Sequence, residues 1–173
     1  MSVPAARAHE ILSPVKPGLI AVSLIAALFF NLLPWPGVLL FVRPDFVALT
    51  LLYWCIHRPH KVGFWTAWCM GLLMDIADGT VFGQYALAYA LLAYLAILLH
   101  RRVLMFGLRK QIWHVLPVLL LTQMAILLIK IYSGANFIGW GFFLSSITGA
   151  LLWPALSILL WLPQRPQPDP EEI

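Results

Sequence analysis

The stretch from Gly63 to Gly83, GFWTAWCMGLLMDIADGTVFG, constrains the fold more than any other part of the chain. Taken at every fourth position it reads Gly63, Ala67, Gly71, Asp75, Gly79, Gly83. Residues i and i+4 share one face of a helix, so a helix here carries a line with almost no side chain. In lipid such a line lets a second helix approach backbone to backbone, with close packing replacing the missing hydrophobic drive. Asp75 continues the line, and Asp78 follows it. A carboxylate at mid-bilayer costs about 2.5–3.5 kcal/mol on insertion scales and less near an interface, so Asp75 on a packing face needs a reason. The plainest is that the helix ends near Asp75 and Asp78-Gly79 forms the exit turn.

The membrane setting rests on composition. With 62% hydrophobic and 10% charged residues, the chain is an integral membrane protein and not a soluble domain. The net charge of +4 does not point to nucleic acid, because the basic residues are scattered between apolar spans without a recognition motif. Cys55 and Cys69 fall inside those spans and read as small buried hydrophobes, with no disulfide framework implied.

The pattern predicts an all-α polytopic bundle of about six transmembrane helices. Residues 1–17 form a cytoplasmic tail, 18–162 the bundle, and 163–173 a proline-rich, disordered cytoplasmic tail. The run from Gly18 to Leu33 leads into Pro34-Trp35-Pro36-Gly37 and not into a small-x-small cleavage site, so it is a retained span. The second span, Val38 to Ile56, is interrupted by Arg43-Pro44-Asp45. Pro44 removes a backbone donor and disfavours helix at the residue before it, so this is a broken segment sheltered by protein. Further spans cover Val62 to Ile76, Gln84 to Leu99 (with Tyr85, Tyr89 and Tyr94 in interfacial or packing roles), Ile112 to Ile131 and Phe137 to Leu162. The last carries a second small-residue seam, Gly141, Ser145 and Gly149, then Trp153.

Orientation follows from the basic residues. With the N-terminus inside and six crossings, nine of the eleven fall in cytoplasmic segments, leaving Arg43 and Lys130 for the other side. That asymmetry obeys the positive-inside rule and puts both termini in the cytoplasm.

Catalytic patterns are scarce. Asp75 and Asp78 stand three apart at one helix end, without the Gly-x-Gly-Asp setting of intramembrane aspartyl proteases. Ser145-Ser146 lacks a nucleophile elbow and a histidine partner. His57 and His60 offer two imidazoles but no further ligands to complete a metal site. No catalytic, cofactor or metal residue is assigned, and the chain reads as a non-enzyme. Arg43 and Asp45 form the more telling ionic pair. They read either as an interfacial turn with Arg43 snorkelling to headgroups, or as the wall of a cavity that also presents Asp75. Asn31, Gln123 and Asn136 are further polar candidates for such a cavity.

Several unusual features occur in order. PWPG precedes the broken span, followed by RPDFVALTLLYW, then GLLMDIADGTVFGQYAL, then GALLWP in the last span. Together, from about Pro34 to Pro154, they resemble the MreD family of bacterial rod-shape-determining inner-membrane proteins. On that resemblance Arg43, Pro44, Asp45, Asp75 and Asp78 are the family-motif polar residues. The resemblance implies a scaffold of the cell-elongation complex that builds the lateral peptidoglycan wall. Its implied partners are MreC and, through it, the RodA glycosyltransferase and a class B penicillin-binding transpeptidase, with the MreB filament on the cytoplasmic side. It also implies similarity in fold to the S-components of energy-coupling-factor transporters. The alternative expectation is therefore a subunit of that type which binds a small molecule or a lipid. No cofactor is implied.

Overall fold

The computed structural model describes residues 17–34, 36–37, 42–134 and 139–164. Both tails, residues 38–41 of the broken span, and Asn136 lie outside the described residues. Within them the chain forms six α-helices: α1 (Pro17–Leu32), α2 (Phe46–His57), α3 (Phe64–Ala77), α4 (Gln84–Met105), α5 (Leu108–Tyr132) and α6 (Leu144–Trp161). Short 3₁₀ turns, Trp140–Phe143 and Leu162–Gln164, flank α6. The protein is an α-helical polytopic membrane protein. The segment from Gly141 to Gln164, α4 and α5 are long and apolar enough to cross a bilayer, whereas α1, α2 and α3 are shorter apolar helices of 16, 12 and 14 residues.

The centre of the bundle is α2. Every residue from Val47 to Ile56 is buried, as expected of a helix that is apolar on all faces. It packs against α1, α4 and α6, while α3 lies along α4, and α5 along α4 and α6. At 1.5 Å per residue α2 spans only about 18 Å, short of the roughly 30 Å hydrocarbon core. Its neighbours supply the shelter that its irregular approach requires. The structure starts this helix at Phe46, because Pro44 breaks the run and Asp45 caps it: the Asp45 carboxylate accepts the Ala48 N–H at 3.0 Å, the ordinary chemistry of an N-cap.

The tightest contact is between α3 and α4. A Cβ built on Gly71 would stand 2.4 Å from the Ala86 Cα and 2.6 Å from the Ala86 nitrogen and the Tyr85 carbonyl oxygen. Only a glycine admits that approach. Ala67, one turn earlier, is fully buried. The spacing-of-four line does not continue as helix beyond Ala77. Gly79 and Gly83 are turn residues with φ of +61° and +97° and open space around them. Gly63 is the residue before α3, where an added Cβ would meet only the Pro59 carbonyl oxygen, at 3.7 Å. Gly79 permits the C-terminal turn in which the Thr80 N–H bonds the Asp75 carbonyl at 3.1 Å, a Schellman closure. One expectation is corrected here. Cys55 is buried, but Cys69 is exposed on α3, so it belongs to the outer face of the bundle.

Pro117 and Pro154 both lie inside helices, α5 and α6. Deep in α6, Trp153 is fully buried and its indole N–H reaches the Gln111 side-chain oxygen at 3.0 Å. That bond clamps α5 to α6.

Candidate functional site: the polar knot and the cavity at one end of the bundle

Two of the three carboxylates of the family-like motifs, Asp75 and Asp45, sit in different places and do different work. Asp75 is 2% exposed. It does not hold the end of its own helix alone; its side chain caps the next one. Oδ2 accepts the Gly83 N–H at 2.9 Å, and Oδ1 accepts the Tyr85 N–H at 2.7 Å. Longer bonds come from the Ala86 N–H and the Thr80 hydroxyl, each at 3.4 Å. Gly83, which precedes α4, has no side chain with which to cap it. Asp75 replaces that cap from across the helix pair. It satisfies donors that a helix start leaves open and places a negative charge at the positive end of the helix dipole.

Asp45 is the hub of a second knot. Its Oδ1 accepts the Ala48 N–H and, at 2.8 Å, the side-chain amide of Asn31; its Oδ2 accepts the Tyr89 hydroxyl at 2.7 Å. Asn31, 3% exposed near the end of α1, returns a bond by accepting the Phe46 N–H at 3.0 Å. Arg43 donates to the Asn31 backbone carbonyl at 2.6 Å, one of the last carbonyls of α1 that has no partner within the helix. The Thr148 hydroxyl of α6 donates to the Val42 carbonyl at 2.8 Å. The break from Val42 to Asp45 thus joins α1, α2, α4 and α6. Arg43 and Asp45, expected as an ionic pair, each turn to these other partners.

Beside this knot a cavity of about 640 Å³ opens. Its wall includes Arg43, Pro44, Asp45, Asp78, Tyr85 and Lys130 at helix ends, then Gln123, Ser145 and Ser146. Leu49, Gly149 and Leu119 also line it, four residues along their helices from Asp45 and Ser145 and eleven from Lys130. The Gln123 amide donates to the Phe142 carbonyl at 2.7 Å and to the Ser145 hydroxyl, and accepts from the Ser146 hydroxyl. The cavity presents Asp78 and not Asp75, contrary to the expectation of a shared cavity. Asp75 is turned into the α3–α4 contact, and Asp78, the residue after α3, is exposed.

Of the other predicted positions, Ser145 lines this cavity and Gly149 faces the Leu119 and Leu49 side chains, while Gly141 lies exposed in the 3₁₀ turn. His57 stacks on Tyr53 at 4.1 Å, with Nδ1 against the Tyr53 carbonyl at 2.9 Å. Among the described residues no three His, Cys, Asp or Glu side chains stand together as metal ligands would. In the sequence Tyr89 is legible only as an aromatic in an interfacial or packing role. A hydroxyl in the middle of an apolar helix needs a partner, and that requirement was the available signal.

A family model for the rod shape-determining protein MreD matches residues 15–163. The chain belongs to the MreD family. A rod shape-determining protein MreD from Haemophilus influenzae is 26% identical to it over 136 residues, covering 79% of this chain and 84% of that protein. No solved structure matches it. Membership of this shape-determining family assigns the chain a role in cell shape, carried out in a membrane.

Proposed function

We propose that this chain is a non-enzymatic membrane scaffold of the cell-elongation (rod) complex, needed for lateral peptidoglycan synthesis. In this reading it binds MreC and, directly or through MreC, the RodA glycosyltransferase and a class B penicillin-binding transpeptidase, with MreB on the cytoplasmic side. It resides in the bacterial inner membrane with both termini in the cytoplasm, the orientation that the positive-inside distribution favours.

One observation carries the reading beyond family membership. Asp45 and Asp75, the carboxylates best placed for chemistry, each accept several hydrogen bonds that tie neighbouring helices together. Carboxylates spent in this way hold a rigid shape and are poorly placed to move protons. The small residues Ala67, Gly71 and Gly149 close the bundle, leaving an apolar outer face on which partner helices pack by shape.

Depletion of the protein in its native host, followed by microscopy, tests the proposal. Rods should round up while membrane potential and nutrient uptake remain normal. Unchanged shape, with a growth defect rescued by a vitamin or other small solute, would overturn it in favour of a solute-binding subunit.

A further inference from the structure

Helix ends from all six helices meet around the cavity, which gives its wall an ordered polarity. The charged groups Arg43, Asp45, Asp78 and Lys130 come from segments at helix ends, and Lys130 lies in the last turn of α5. From Lys130 inward to Leu119 is eleven residues, about 16 Å along a helix. At that depth the wall is apolar, with Leu119, Leu49 and the bare backbone of Gly149 against one another. The cavity is therefore charged at one end and apolar at the other, and its size lies within the roughly 300–1,000 Å³ range of ligand sites.

The charges at the open end are not equally engaged. Asp45 accepts hydrogen bonds from the Asn31 amide, the Ala48 N–H and the Tyr89 hydroxyl. Asp78 lies against the Tyr85 side chain. The cations are less engaged. Arg43 gives one N–H to the Asn31 carbonyl, and Lys130 stands 5.8 Å over the Phe142 ring; among the described residues neither makes an ion pair. A guanidinium and an ammonium held in or near a bilayer without an acidic partner are costly unless they meet an anion or water.

The geometry points to this cavity as a binding site for an amphipathic anion, whose phosphate or carboxylate head is neutralised by Arg43 and Lys130 while its apolar body reaches toward Leu49, Leu119 and Gly149. Such a head on such a body is found both in soluble organic acids or phosphate esters and in acidic lipids. The site is independent of the rod-complex reading, because a scaffold can hold a ligand and a ligand-binding subunit need not assemble with wall enzymes.

The test uses the purified full-length chain in neutral maltoside micelles, with thermal unfolding as readout. A ligand that binds only the folded form raises its stability. Octyl phosphate and dihexanoyl phosphatidic acid are the two probes; octyl glucoside supplies the same tail without charge, and inorganic phosphate the head without a tail. Octyl phosphate should stabilise the protein at concentrations where octyl glucoside and inorganic phosphate do not. Lys130→Gln removes the charge but leaves a shorter polar side chain near Phe142, and should weaken that response about tenfold, in line with the loss of one charge-assisted hydrogen bond. Stabilisation by octyl phosphate assigns a soluble source, and stabilisation by the phosphatidic acid alone assigns a lipid source. An equal response to octyl glucoside, an unchanged response in Lys130→Gln, or no response to either anionic probe would overturn the assignment.

Discussion

Gly71→Ala adds one methyl group and should destabilise the bundle although it improves the intrinsic preference for helix. The new Cβ would lie 2.4 Å from the Ala86 Cα and 2.6 Å from two further backbone atoms, about 1 Å inside ordinary carbon contact. Backbone cannot rotate out of the way, so α3 and α4 must separate. Overpacking a close contact costs typically about 1–3 kcal/mol, and an obstacle made of main chain puts this site at the upper end. Replacing glycine in a helix returns about 1 kcal/mol. The net expectation is a loss of about 2 kcal/mol for alanine, and more for Gly71→Leu. Separation also lengthens the bonds from Gly83 and Tyr85 to Asp75, now 2.9 and 2.7 Å, which adds to the loss.

Reversible unfolding in mixed micelles of increasing sodium dodecyl sulfate fraction measures the change. Gly18→Ala, inside α1, is the control, because a Cβ there meets nothing within 4 Å. Ala86→Gly should fail to rescue Gly71→Ala, since the obstructing atoms are the Ala86 backbone and the Tyr85 carbonyl, not the Ala86 side chain. Gly71→Ala unfolding at the wild-type detergent fraction, or full rescue by Ala86→Gly, would refute the backbone-contact argument.

Other substitutions probe the polar ties. Asp75→Ala should lower stability by roughly 2–3 kcal/mol, because it leaves the first N–H groups of α4 buried without an acceptor; Asp75→Asn should fall between it and wild type in the same titration. Tyr89→Phe removes a donor from the Asp45 carboxylate and should cost about 1.5–3 kcal/mol, the range for a hydrogen bond to a charged group. An unaltered midpoint in that variant would show that Oδ2 finds another donor. Trp153→Phe keeps most of the buried ring but loses the bond to Gln111; about 1 kcal/mol for the lost bond, plus the smaller volume, should appear as a lower melting temperature.

The sequence alone settled the class and much of the architecture. An apolar, charge-poor chain has to satisfy its backbone within helices once water is excluded. The apolar runs therefore marked the helices to within a few residues at most ends, although α4 continues past Leu99 to Met105 and α5 begins earlier, at Leu108. Arg43-Pro44-Asp45 was readable as a break because proline and an N-capping acid act locally, through φ and through the nearest N–H groups. The Gly63 to Gly83 line was readable as a close-packing face, but its division was not: packing at Ala67 and Gly71, then positive-φ turns at Gly79 and Gly83. The end of α3 depends on a three-dimensional exit that helical spacing does not encode.

Only the tertiary structure decided where the charges go. Asp75 and Asp78 are three residues apart, yet one caps the neighbouring helix and the other faces a cavity. Asp45 meets Asn31 and Tyr89, which are 14 and 44 residues away in the chain. Periodicity reports which residues share a face of one helix. It carries no information on which helix that face will meet, and a buried carboxylate takes its role from the donors that packing brings to it.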